Sequence, residues 1–344
     1  MIQNMDIKGL IKELCSANGV SGDERNVFDI AKKHLENLAE ISADSNGNLY
    51  AVLGNVNSSK TILLDAHLDR IGFIVTDIDD NGFVKVDKCG GVDIRTLQDC
   101  ELVTYDNVVG VVCCMPPHLS NGNSDKATPI SKIWVDFGMP ADEVKKYIKI
   151  GDTLTFKSHS IELLNDRIAS PALDNRCSVA SLIRCADILK NEVLDYKVVI
   201  LLSSQEETYG TGAKTGAYKI DADEAIVVDV SFASQPDISG QYSKIELEKG
   251  PMVCISPILN RAMSDKLIDI AVSKNIPYQL EPISGRTGTN ADHISVTKSG
   301  VKTTVVSIPQ RYMHTQVEVI SVKDVENTAK LICEYIRCGG AFND

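Results

Sequence analysis

The chain has 344 residues, 43% of them hydrophobic and 24% charged, with a formal net charge of −12. That length suits one large domain with a smaller one, or two of similar size, and no apolar run reaches the eighteen or so residues of a membrane span. The acidic balance, without clustered Lys or Arg, excludes nucleic acid as a standing partner.

The opening MIQNMDIKGLIKELCSANG has a helical apolar period and acids but no basic start or long apolar centre, so it is not expected to be a secretory signal. The ten cysteines are scattered, with Cys113 and Cys114 adjacent and no CxxC pair. Reduced thiols acting as small core residues, in a cytoplasmic protein, are the expectation.

Helical spacing at Ile7, Leu10, Ile11 and Leu14, then at Val27, Ile30, Leu35 and Leu38, predicts two amphipathic helices. Gly19 and Gly22 break them, and Asp23 is placed to cap the second. "NLYAVLG" and "KTILLDA" read as strands, the second apolar enough to be central in a sheet covered on both faces. Over 71–165 the texture changes to short strands ("GFIVTDI", "GFVKV", "CELVTYD", "VVGVVCCM", "KIWVDFG", "DTLTFKS") with one helical signal, "PADEVKKYI". This predicts a small β-barrel or sandwich. Helices and strands alternate again beyond it: a helix over 175–191, strands "KVVILLSS" and "AIVVDVS", a helix "RAMSDKLIDIAVSKN", a strand "TTVVSI" and a final helix over 322–338. The expected division is therefore an α/β domain made of residues 1–70 and 166–344, interrupted by a β-rich insertion over 71–165.

In open α/β sheets, ligands collect beyond the carboxyl ends of the strands. Here those ends carry one kind of chemistry. "TILLDAHLD" delivers His67 and Asp69, "KVVILLSSQEE" delivers Glu206 and Glu207, "AIVVDV" delivers Asp229, and "TTVVSIPQRYMH" delivers His314; Asp174 in "SPALDNR" sits at the expected N-cap of the resumed helix. Each has a bland alternative: a cap, a structural histidine, a solvated acid pair. Asp229 resists it, because an ionised carboxylate inside an apolar strand is costly unless paired or on a metal. Taken together the bland readings would need five separate excuses.

Imidazole and carboxylate without thiolate suit zinc, cobalt or manganese in an open-sided catalytic site. Three carboxylates, on Asp174, Glu207 and Asp229, would leave a single divalent ion short of neutrality, whereas two ions plus a hydroxide come close. Two ions about 3.5–4 Å apart provide both a nucleophile and a Lewis acid, so hydrolysis is the natural reaction. His67 and Asp69 share one side of a strand, so Asp69 can orient the imidazole. Of Glu206 and Glu207, one can bind metal while the other moves a proton, and spacing alone does not say which.

At these residues the chain resembles the cocatalytic metallo-aminopeptidases that assemble into tetrahedral shells, a family that includes glutamyl and deblocking aminopeptidases and members labelled endoglucanase. The matching segments are "AHLDRIGFIV", "NDRIASPALDNR", "SSQEETYGTGA", "VVDVSFA", "GRTGTNADHI" and "SIPQRYMHTQVEV", in the family's order across nearly the whole chain. The resemblance implies that His67, Asp174, Glu207, Asp229 and His314 hold two ions, with Asp174 bridging. It further implies that Asp69 orients His67 and that Glu206, as general base, activates a metal-bridging water to release N-terminal residues from short peptides. It also implies a three-layer α/β/α catalytic domain of the zinc-peptidase type, a barrel-like insertion used in dimer contacts, and dimers building a dodecamer. Two positions depart from the family pattern, Arg70 after the HxD aspartate and Asn290 in the "GTDA" segment, and the expectation is that they alter charge near the substrate cleft, favouring an acidic first residue.

Two rivals stand beside this reading. A glycosidase using Glu206 and Glu207 is disfavoured by the 5% aromatic content with Trp134 alone as tryptophan; a non-catalytic shell protein would have no need of the seven intact site residues. "YGTGAKTGA" misses the phosphate-loop pattern at Ala213, His118 and His159 are expected to be structural, and Cys177 is expected to be a buried small residue.

Overall fold

The apolar spacing of the N-terminal segment produces α1 (Ile7–Ser16), capped by the Asp6 carboxylate on the Gly9 N–H, and α2 (Arg25–Leu35). Asp23 does not cap α2: its carboxylate takes the Arg25 guanidinium, and Glu24 holds the capping position without a side-chain bond to the helix among the described residues. This computed structural model describes residues 5–113, 115, 117–119 and 127–342; Cys114 and the first four residues of the expected non-signal segment lie outside them. Strands β1 (Glu40–Ala43), β2 (Leu49–Gly54) and β3 (Thr61–His67) follow, and β3 is buried at every position, as a strand covered on both faces must be.

The next six strands leave the sheet. They are β4 (Gly72–Ile78), β5 (Val84–Cys89), β6 (Glu101–Thr104), β7 (Val109–Val112), β8 (Trp134–Asp136) and, after α3 (Ala141–Tyr147), β9 (Thr153–Phe156). Between barrel and sandwich the barrel forms, in the order β4-β5-β8-β7-β6-β9, closed where Phe73 of β4 pairs with Leu154 of β9. Full closure leaves no open edge. Its interior is apolar, with Phe73 edge-on to Phe156 at 5.3 Å.

Past the barrel come β10 (Ile161–Leu163), β11 (Arg167–Ser170), α4 (Leu173–Leu189), β12 (Lys197–Ser203), α5 (Thr211–Ile220) and β13 (Glu224–Phe232). They are followed by β14 (Met252–Ile255), α6 (Arg261–Lys274), β15 (Gln279–Pro282), α7 (Ala291–Ile294), β16 (Lys302–Gln310), β17 (Glu318–Ser321) and α8 (Val322–Arg337). The main sheet runs β1-β2-β12-β3-β13-β16-β14-β15, and β10, β11 and β17 make a second, three-stranded sheet. Alternation along β3 assigns its faces: Ile62, Leu64 and Ala66 pack with residues of α1, α2, α4, α6 and α8, while Leu63 packs with Ala213 and Ala217 of α5 and Ala291 and Ile294 of α7. Helices therefore cover both faces. Because β12, β3, β13 and β16 are parallel neighbours, their carboxyl ends open on one edge. None of the described helices is long and apolar enough to cross a membrane.

Candidate metal centre and active site

That shared edge gathers the predicted residues. His67 ends β3, Asp229 lies in β13, Glu206 and Glu207 follow β12, and His314 follows β16. Asp174 reaches them because the Asn175 side-chain amide donates to the Val228 carbonyl of β13 at 2.9 Å, drawing the start of α4 against the sheet. Asp174 is not the helix cap the sequence suggested. It lies inside the first turn with non-helical φ and ψ, Ala172 is the capping residue, and the Asp174–Asn175 peptide bond is cis. All six residues line one cavity of about 460 Å³.

Asp174 is central, with one oxygen toward each imidazole: Oδ1 is 3.2 Å from His67 Nε2 and Oδ2 is 3.3 Å from His314 Nε2. His67 Nε2 also faces Asp229 at 3.8 Å, and His314 Nε2 faces Glu207 at 3.5 Å. Two donors each about 2.0–2.1 Å from one tetrahedral ion stand about 3.3 Å apart, so these spacings suit divalent cations. His67, Asp174 and Glu207 by themselves bring donor atoms within 4.8 Å of one another. The tautomers are fixed from behind: His67 Nδ1 lies 3.1 Å from the Asp69 carbonyl and His314 Nδ1 lies 3.1 Å from the Gly91 carbonyl, which leaves both Nε2 atoms facing the cavity.

The electrostatics carry the same message. Burial pushes the Glu207 and Asp229 carboxyls well above the ordinary range, with the Asp174 charge adding to it. Burial opposes charge on the imidazoles, yet neighbouring carboxylates outweigh it: Asp174 and Asp69 hold His67 well above its usual value, and Asp174 and Glu207 push His314 to about 10. Glu207 Oε1 is buried without a hydrogen-bond partner among the described residues. An orphaned carboxylate oxygen among acids packed this closely is what a cation would satisfy, and the donor set fits one.

Glu206 differs from its neighbour. Its side chain is 17% exposed, its Oε2 stands 3.8 Å from His67 Nε2, and burial together with the charge of Asp69 pushes its pKa to about 7. The two glutamates lie beyond the strand, after Gln205 at φ 59°, so strand alternation does not separate them. Asp69, fully buried behind His67, accepts the Glu206 N–H on Oδ1 at 2.9 Å and the Glu207 N–H on Oδ2 at 3.0 Å, and Ser21 donates to it as well.

Arg70 and Asn290 do not line the cavity. Each is 1% exposed. Asn290 donates to Asp65 Oδ2 at 2.8 Å and to Ser203 Oγ at 2.9 Å, so an amide suits a position where a second acid would face the Asp65 carboxylate. The Arg70 charge interacts with buried Glu318 and Glu207 from beneath the site. Glu318 is the residue that sequence reasoning missed. Also 1% exposed, it accepts the His314 N–H at 2.9 Å and the Asp174 N–H at 3.1 Å. An acid inside "VEVIS" carries the same signal that singled out Asp229. His118 and His159 are exposed on the barrel side of the chain, and Cys177 is fully buried.

A parallel α/β edge that brings two imidazoles and several carboxylates around one cavity is the framework a metallopeptidase needs. Residues 47–331 match the M42 glutamyl aminopeptidase family, and the chain belongs to it. It is 35% identical over 331 residues to the lysyl aminopeptidase of Pyrococcus furiosus, covering 94% of each chain. Among solved structures it is similar to an aminopeptidase from the archaeon Desulfurococcus kamchatkensis, with 33% identity, a TM-score of 0.89, and 96% and 94% of the two chains covered. It is also similar to the Pyrococcus horikoshii TET1 peptidase, described as able to assemble into a tetrahedron or a large octahedral shell, with 29% identity, a TM-score of 0.86, and 96% and 99% covered. Aminopeptidase chemistry is thereby favoured over the glycosidase and the inert shell protein.

Proposed function

We propose that this aminopeptidase removes N-terminal residues from short peptides at a dinuclear metal centre. The observation that carries the proposal is the position of Asp174, one oxygen toward each imidazole. On this reading His67 and Asp229 would hold one ion, Glu207 and His314 the other, and Asp174 would be shared between them. Zinc or cobalt suits the donor set best, with manganese as a further option. When bound, two such ions polarise the peptide carbonyl and acidify a water.

The protein's own groups do the rest. Glu206 takes the proton of the attacking water and passes it to the leaving amine, a task suited to a carboxyl poised near neutrality. Asp69 holds His67 in register and fixes the turn that presents Glu206 and Glu207.

We read the architecture as a three-layer α/β/α catalytic domain of the zinc-peptidase type, made of residues 1–70 and 166–344, with residues 71–165 as an inserted unit for dimer contacts. The shells of the Pyrococcus horikoshii relative support a large homo-oligomer here, which we read as dimers assembling to a dodecamer. A cytoplasmic location is supported by nine free cysteines among the described residues. The deciding experiment measures bound metal, native mass and hydrolysis of free and N-blocked peptides on one preparation. Two ions per chain and cleavage confined to free amines are expected; hydrolysis that survives complete metal removal would refute the reading.

A further inference from the structure

The catalytic cavity has a second chemistry besides its donor cluster. Phe232, Tyr242, Ile283 and Met313 line it, and they come from four segments: the end of β13, the 3₁₀ turn Gly240–Lys244, the residue after β15 and the residue before His314. Phe232 meets Tyr242 edge-on at 5.3 Å and is still 40% exposed. An open apolar wall inside a site built from carboxylates needs an occupant.

Among the described residues no lysine or arginine lines this cavity, and its acids are Glu206 and those of the donor cluster. The adjoining pocket of about 260 Å³, which shares Glu206, Gly288 and Thr289, does hold a cation, Arg286. That guanidinium bonds Asp292 through Nε at 3.1 Å and its side chain is 81% exposed, so its charge is shared with a carboxylate and screened by water. A charged side chain would therefore lose water at the apolar wall without gaining a partner, while an apolar one gains by leaving water.

An aminopeptidase cuts one residue from the free amine, so the side chain of that residue must lie within a few ångströms of the reacting carbonyl. The apolar residues line the same cavity as the donor cluster. We propose that it receives the side chain of the substrate's first residue and selects an apolar one of leucine or methionine size over glutamate or lysine. This rests on the aminopeptidase reading.

The test uses metal-reconstituted protein with leucyl, methionyl, glutamyl and lysyl anilides, and calorimetric titration with free L-leucine and L-glutamate. The leucyl and methionyl substrates should exceed the charged ones by on the order of ten- to a hundredfold in kcat/KM, and L-leucine should bind the more tightly. Ile283→Asp should lower leucyl turnover and raise lysyl turnover relative to it; Phe232→Glu, at an exposed position, gives the same test if the first variant misfolds. Equal or faster hydrolysis of glutamyl or lysyl anilide, or an unchanged ratio in both variants, overturns the proposal and leaves the peptidase reading intact. Failure to cleave any anilide by protein with its metal in place would overturn both.

Discussion

Glu318 accepts the backbone N–H of Asp174 at 3.1 Å, although 144 residues separate them in the chain. Its other oxygen takes the N–H of His314, so one buried carboxylate sets the spacing between the bridging acid and a histidine. Glu318→Gln turns one acceptor into an amide facing an N–H. Metal affinity, read by competition with a chelator, should fall about 10- to 100-fold, with the far-UV spectrum retained.

Glu206→Gln should separate metal binding from turnover. The proposed ligands are untouched, so metal content measured by plasma emission should equal wild type. Loss of the proton acceptor should lower kcat by about 10²–10⁴, and a variant losing metal in parallel would contradict the proton-transfer role.

Chelation should abolish activity and also lower the melting temperature. Without metal the site packs Asp174, Glu207 and Asp229 together, with burial opposing their charge and only two imidazoles to offset it. Ligand that binds only the folded chain stabilises it, so restoring zinc or cobalt should raise the melting temperature in proportion to the logarithm of free metal.

Metal affinity should strengthen as pH rises. His314, pushed to about 10, and His67, also raised, hold protons in the metal-free protein near neutrality. Metal binds only the deprotonated imidazole, so uptake at about pH 7 should release protons, and affinity should weaken as pH falls. Calorimetry in buffers of different ionisation enthalpy reads the proton count directly.

Phe73→Ala removes half of an edge-to-face pair in a barrel core where both rings are at most 1% exposed. It should cost about 3–5 kcal/mol in denaturant unfolding, as large-to-alanine changes in packed cores do.

The elements with a sustained apolar period were legible in the sequence. β3, β12, β13 and β16, and helices α1, α2, α4, α6 and α8, each announce themselves through burial, and the polar residues at the strand ends follow from that assignment. What escaped was short: β1, β10, β11, β14, β15, β17 and α7 have four residues or fewer, too few to display a period. Local geometry also escaped. The displaced start of α4 depends on Asn175 bonding to β13, and the true positions of Arg70 and Asn290 depend on what packs over them, so neither can be read from neighbours in the chain.

The carbonyl of Gly91 steers the His314 imidazole, and a Cβ at position 91 would stand 2.6 Å from its Nδ1. Gly91 belongs to the loop after β5 of the barrel, whereas His314 hangs from the main sheet. The barrel is thus a working wall of the reaction chamber, and excising it as a dispensable module would leave one imidazole without its brace.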